Sequence, residues 1–221
     1  MSAPGPRRPP AGASRYGWFV ALVGVVLVGY VSLHALRTER SGSQGGLKVG
    51  SRVPPCAAPL ALGPLDAPVN IARKPNQGPA GKRPACTVRG PGILNSCELG
   101  ERGPFVLAFL ATRGTQCTRE LDRLGRVQAL HPRVQVAAVS IRGDRGDLRT
   151  LVRRRHWPFP VAWDRDGILA NLYGVAVCPQ LTYALPGGVV QATSVGELGD
   201  RELDRRFATL ERTARAKGWR P

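Results

Sequence analysis

Five cysteines carry the chemistry that is legible in this chain: Cys56, Cys86, Cys97, Cys117 and Cys178. Cys117 follows the continuous apolar run Phe105–Ala111 and precedes Leu121, Leu124, Val127 and Leu130, which recur at helical spacing. It therefore falls near the start of a predicted helix. Helix N-termini present unpaired N–H groups and positive potential, which favour a thiolate and make it reactive. The same position also suits a small buried residue that packs and does not react. Position alone leaves both readings open. Cys86 and Cys97 flank Gly90-Pro91-Gly92, a turn signal between two short extended pieces. A disulfide there would close a small loop and stabilise it by about 2–3 kcal/mol on the loop-entropy argument. Five cysteines cannot all pair within one chain, so a free thiol or an intermolecular bond is implied, and Cys56 is the odd one if Cys86 pairs with Cys97. None of the spacings has zinc-ligand form, and neither His131 nor His156 falls into such a pattern, so no metal and no cofactor are expected. His131, before Pro132, reads as a helix-end cap.

These residues must be positioned by elements that the pattern also suggests. Phe105–Ala111 (FVLAFLA) and Val134–Ile141 (VQVAAVSI) read as strands buried on both faces. Between them lies the helix that ends at His131-Pro132. Asp144 and Asp147 are candidate caps for a helix carrying Leu148, Leu151 and Val152. Pro160–Trp163 is a short strand and Ile168–Tyr173 a short helix. Leu181–Leu185 and Val189–Val195 flank Pro186-Gly187-Gly188 as a hairpin. The last helix, Asp200 to Lys217, sets Leu203, Phe207, Leu210 and Ala214 on one face. This order implies an α/β fold, with a mixed sheet and helices on both faces.

Upstream, Trp18 to Leu36 (WFVALVGVVLVGYVSLHAL) holds no acid, Lys or Arg. As a helix it would rise about 28 Å, close to the hydrocarbon thickness of a bilayer. No convincing signal-peptidase site follows it, so the expectation is an uncleaved single-pass anchor. Arg7, Arg8 and Arg15 precede it, which places the N-terminus in the cytoplasm and residues 37–221 outside, where disulfides persist. The expected organisation is a cytoplasmic tail (1–17), a transmembrane helix (18–36), a flexible linker (37–50), a Pro/Gly-rich extension with short strands and hairpins (51–104) and a core domain (105–221).

The formal net charge is +17, carried almost wholly by Arg. Such a balance can mark nucleic-acid binding. Here no aromatic residues interleave with a basic stripe and no nucleic-acid motif occurs, and Ala, Arg, Gly and Pro are raised together. Coding bias accounts for that, and no nucleic-acid partner is expected. Arg153, Arg154 and Arg155 read as a solvated helix end.

GPFVLAFLATRGTQCTRELDRL resembles the strand, active loop and helix of thioredoxin-like redoxins, which include membrane-anchored thiol–disulfide reductases and peroxiredoxins. PFPVAWDRDGILANLYGVAVCPQLTYALPGGVV resembles the second half of that family's domain, and VGSRVPPCAAPLALG its usual start. The resemblance spans roughly residues 50–215. It implies a thioredoxin-like fold, a mixed central sheet flanked by helices. It also implies that Pro179 is the cis proline lying against the active-site cysteines. The motif is degenerate. Where C-x-x-C is usual this chain reads Gly114-Thr115-Gln116-Cys117, so the attacking position is Gly114. A peroxiredoxin would place Thr or Ser at 114 and Arg near 181, where this chain has Leu181. Cys178 precedes Pro179, and the resemblance implies that Cys117 and Cys178 come within bonding reach. The implied function is an atypical extracytoplasmic thiol–disulfide oxidoreductase or antioxidant. It would act on protein thiols or disulfides through Cys117, Cys178 and Pro179, at the cell membrane. The competing expectation is a non-catalytic thioredoxin-fold binding module in the envelope.

Overall fold

The computed structural model describes residues 14–40, 45–71 and 83–220. It divides into two units, Met1–Gln44 and Gly45–Pro221. In the first, α1 runs Ser14–Arg40. The apolar side chains described between Trp18 and Tyr30 are exposed. Among the described residues no helix is long and apolar enough to cross a membrane. The expected span over 18–36 reaches past that stretch, and the side chains of residues 31 and 33–36 lie outside the described residues.

The second unit is built on a five-stranded sheet of order β6-β5-β4-β7-β8. Its strands are β4 Phe105–Ala111, β5 Gln135–Arg142, β6 Val161–Trp163, β7 Gln180–Leu185 and β8 Val189–Val195. β4, β5 and β6 are parallel, while β7 is antiparallel to both β4 and β8. Parallel neighbours need crossover helices, which α3 (Thr115–Leu130) and α4 (Arg145–Arg155) supply. Asp144 caps α4 by accepting from the N–H groups of Gly146 and Asp147. α5 (Ile168–Leu172) and the closing α6 (Asp200–Ala216) complete the order expected from the sequence.

The central strand divides the interior because successive side chains point to opposite faces. Val106, Ala108 and Leu110 join Leu121, Leu124, Leu203 and Phe207 in one core. Phe105, Leu107 and Phe109 join Leu99, Leu169 and Tyr173 in the other. That explains why FVLAFLA has no polar alternation: both of its faces are covered.

The extension holds a small antiparallel sheet of order β2-β1-β3, from β1 Cys56–Pro59, β2 Asn70–Ile71 and β3 Ile93–Asn95. It also holds a helix that was not expected there, α2 (Ser96–Arg102). Asn95 caps α2 with its side-chain oxygen, which accepts from the N–H groups of Cys97 and Glu98. Two arginines of α4 fasten the extension to the main sheet. Arg145 donates to the carbonyls of Leu60, Gly63 and Leu65, pairs with Asp66 and lies over the Trp163 ring. Arg149 donates to the carbonyls of Ala61 and Gly63. The end of the expected linker is also docked rather than loose. Gly50 N–H donates to the Val190 carbonyl, and Thr193 Oγ1 donates to the Leu47 carbonyl.

Candidate active site

β4 and β7 bring the site together. Their antiparallel register pairs Phe109 with Gln180, so residues 178–179 lie beside the carboxyl end of β4. The chain leaves that same end through Thr112-Arg113-Gly114 and enters α3. Gly114 is the N-cap, with no side-chain capping bond, and Cys117 sits three residues into the helix. The structure joins Cys117 and Cys178 by a disulfide, with their Cα atoms 5.5 Å apart. The Cys178-Pro179 peptide bond is cis. The three site residues expected from the sequence, Cys117, Cys178 and Pro179, therefore meet at one point.

The two sulfur-bearing residues differ in access. Cys117 is only 3% exposed and belongs to the core beneath α3, whereas Cys178 is half-buried at its edge. Val177, just before Cys178, is exposed, as is Ala176. Cys178 Sγ lies 3.3 Å from the Phe109 carbonyl oxygen. Once reduced, its S–H can donate to that carbonyl. Cys117 lies in the uncapped first turn of α3.

A second disulfide joins Cys86 and Cys97, and Cys56 is the free, buried thiol. Cys56 Sγ lies 3.5 Å from Tyr173 Oη, which itself donates to the Pro54 carbonyl. Burial raises the Cys56 pKa, opposed by the neighbouring hydroxyls of Tyr173 and Ser96. A buried thiol held protonated is a poor nucleophile. Among the described residues no cluster of His, Cys, Asp or Glu could hold a metal ion.

No protein-family model matches the chain, and no curated protein matches it. Solved structures do. A protein described as a thiol:disulfide interchange protein DsbE from Chlorobium tepidum superposes with a TM-score of 0.57 at 20% identity, over 74% of this chain and 98% of that one. A second Chlorobium tepidum protein, a thiol:disulfide interchange protein of the thioredoxin family, gives 0.55 at 13% identity, over 74% and 98%. A Bacteroides thetaiotaomicron protein described as a protein disulfide isomerase gives 0.56 at 11%, over 77% and 94%. The domain has a thioredoxin-like fold.

Within this thioredoxin-like domain one residue near the cysteines escaped the sequence reading. Glu120 is fully buried on α3, one turn beyond Cys117 and on the same face. Its carboxylate accepts from the Leu198 N–H and from Arg123. Through these bonds α3 holds the loop between β8 and α6. Burial raises the Glu120 pKa, opposed by the Leu198 N–H and by Arg123. A carboxyl whose folded pKa is raised contributes stability in full below its unfolded value, and that contribution is lost as pH rises through the folded one. The urea midpoint of Glu120→Gln should therefore fall less steeply with rising pH than that of the unaltered protein, beginning near the ordinary value of 4.5. Parallel pH profiles would refute a raised pKa at Glu120.

Proposed function

We propose that this chain is a thiol–disulfide exchange protein whose working bond is Cys117–Cys178. The observation that carries the reading is the unequal access of the two bonded cysteines, with the more buried one in an uncapped helix turn. The solved proteins of like fold described as thiol:disulfide interchange proteins support it.

A partner thiolate attacks Cys178 Sγ, the accessible sulfur. A bond forms between the partner and Cys178, and the Cys117–Cys178 bond breaks. Cys117 leaves with the electron pair as a thiolate in the first turn of α3. A second partner thiol, as thiolate, then attacks the partner's own sulfur in the mixed disulfide. The partner departs oxidised to a disulfide, and Cys178 leaves as a thiolate that takes a proton. Two partner thiols have lost two electrons, and the domain holds two thiols. The reverse sequence reduces a partner disulfide. Which direction prevails depends on the reduction potential of the pair against that of its compartment.

The test is titration of the native protein in graded glutathione buffers, with peptide mapping at each step. The expected result is that the Cys117–Cys178 bond opens while the fold persists. A bond that stays closed until the protein unfolds would be a structural staple, and the domain would then be a binding module.

The reading also places the domain on the outer side of a membrane, held by α1. Its support is the exposed apolar stretch from Trp18 to Tyr30, the charge-free sequence to Leu36 and the arginines before it. A reporter fused after Pro221 should be active only outside the cytoplasm, and cytoplasmic activity would invert the topology.

A further inference from the structure

Cys86–Cys97 lies outside the site just described. Both cysteines are half-buried, and both line a cleft of about 340 Å³ together with Arg52, Val53, Pro55 and Glu101. The floor is tight backbone: a Cβ on Gly100 would meet the Gly188 nitrogen at 3.2 Å. The cleft thus offers a covalent sulfur pair, an apolar wall and a charged rim.

The bond is not the only fastening of this segment. Asn95 is buried and donates from its amide nitrogen to the carbonyls of Ala85 and Val88, both at 2.9 Å. Its oxygen accepts from the Cys97 N–H at 2.8 Å. Arg89 donates to the Cys86 carbonyl at 2.8 Å and grips Glu101 through two bonds of 2.7 and 2.6 Å. The backbone of each cysteine is therefore held by a side chain that does not depend on the sulfur bond. After reduction the two thiols would still face each other. A structural staple is needed where nothing else closes the loop, whereas a cycling disulfide needs a frame that survives its opening.

Arg52 supplies the third observation. It is exposed at the rim, donates to the Gly187 carbonyl at 3.3 Å, and has no carboxylate partner among the described residues. Glu101, by contrast, is neutralised by Arg89.

We propose that the Cys86–Cys97 cleft is a second thiol–disulfide exchange site, taking a small thiol that carries a carboxylate. The incoming thiolate forms a bond to one of the two sulfurs and breaks the Cys86–Cys97 bond, and the other sulfur leaves as a thiolate. A second small thiol, as thiolate, attacks the small thiol's sulfur in the adduct. It departs as the small-molecule disulfide, and both cysteines become thiols. Two small thiols are oxidised and one protein disulfide is reduced, with the protons taken from and returned to solvent.

The experiment uses the whole protein with glutathione as the probe. Cys86 and Cys97 peptides are mapped separately from those of Cys117 and Cys178. The expected result is opening of Cys86–Cys97 within the glutathione range, a glutathione adduct on one of these two cysteines, and a retained cooperative urea transition. Two smaller probes test the rim. 3-Mercaptopropionate should open the bond faster than 2-mercaptoethanol once rates are corrected for thiolate fraction. Arg52→Ala should lower that preference roughly twofold to fivefold, the scale of one exposed charge contact, and Arg52→Lys should keep it. A bond that stays closed until global unfolding overturns the proposal. So does opening that unfolds the protein, or a preference for the anionic thiol that is absent or unchanged in Arg52→Ala.

Discussion

Cys178→Ser is expected to lower the rate of disulfide exchange at the α3 site on the order of 100-fold or more, because a covalent step loses its acceptor. A partner can reach only one of the two sulfurs readily. Cys178 is half-buried beside exposed Val177, while Cys117 is 3% exposed. With Ser at 178, the remaining thiol lies under the helix and has no bond to open. Cys117→Ser should behave differently. It leaves the accessible thiol in place but removes the group that resolves the mixed disulfide. A partner disulfide should then capture Cys178 and stay bound. Both substitutions break the same cross-link, which joins positions 61 residues apart. On the loop-entropy argument each loses about 4 kcal/mol of stability, so a difference in their chemistry cannot be a difference in cross-linking. Mass spectrometry after incubation with oxidised glutathione separates them. A stable adduct on Cys178 in Cys117→Ser, and no adduct on Cys117 in Cys178→Ser, is the expected pattern. Equal trapping in both variants would remove the assigned polarity.

What the sequence made legible depended on how local the signal was. FVLAFLA is unmistakable because a strand covered on both faces needs no polar alternation. The α6 stripe of Leu203, Phe207, Leu210 and Ala214 is equally local. α2 was missed because its seven residues, SCELGER, carry no full apolar repeat and sit in a Pro/Gly-rich stretch. Its start was written in Asn95 followed by Glu98 three residues on, the pattern of a reciprocally capped helix. Glu120 was missed for a different reason. In the sequence it is one more charged residue on an amphipathic helix, beside Arg119 and before Asp122. Its burial arises from the loop near Leu198, which is 78 residues away. Asp164 belongs with it: it falls between the predicted strand and the predicted short helix, yet it is buried and accepts from the N–H groups of Leu169 and Ala170 at the start of α5. The Cys117–Cys178 contact likewise depends on the β4–β7 register, which no local pattern contains, and it entered the sequence reading only through the redoxin resemblance.

Gly114→Cys is expected to move the bond and raise the exchange rate about tenfold or more, since an accessible thiol at a helix start ionises and reacts readily. The backbone accepts the change. Gly114 has φ −99° and ψ 110°, an extended conformation open to any L residue. A Cβ placed there would lie 2.6 Å from Cys117 Sγ and 3.4 Å from Cys117 Cβ. The second distance is close to the roughly 3.5–4.5 Å between Cβ atoms of bonded cysteines, and the first requires the Cys117 side chain to turn. A sulfur introduced at 114 is thus within reach of Cys117. Three sulfurs then compete for one bond, and the partner that loses is left as a thiol near the surface. Unaltered, oxidised protein should show no rapidly alkylated cysteine, because Cys56 is buried and the other four are bonded. The variant should show one, at 114 or at 178, and should reduce insulin faster than the unaltered protein. A folded variant with a new bond between positions 114 and 117 but no gain in reductase rate would mean that the surface around Cys178 no longer receives a partner. The domain would then be a binding module that has kept the thioredoxin-like frame without its exchange chemistry.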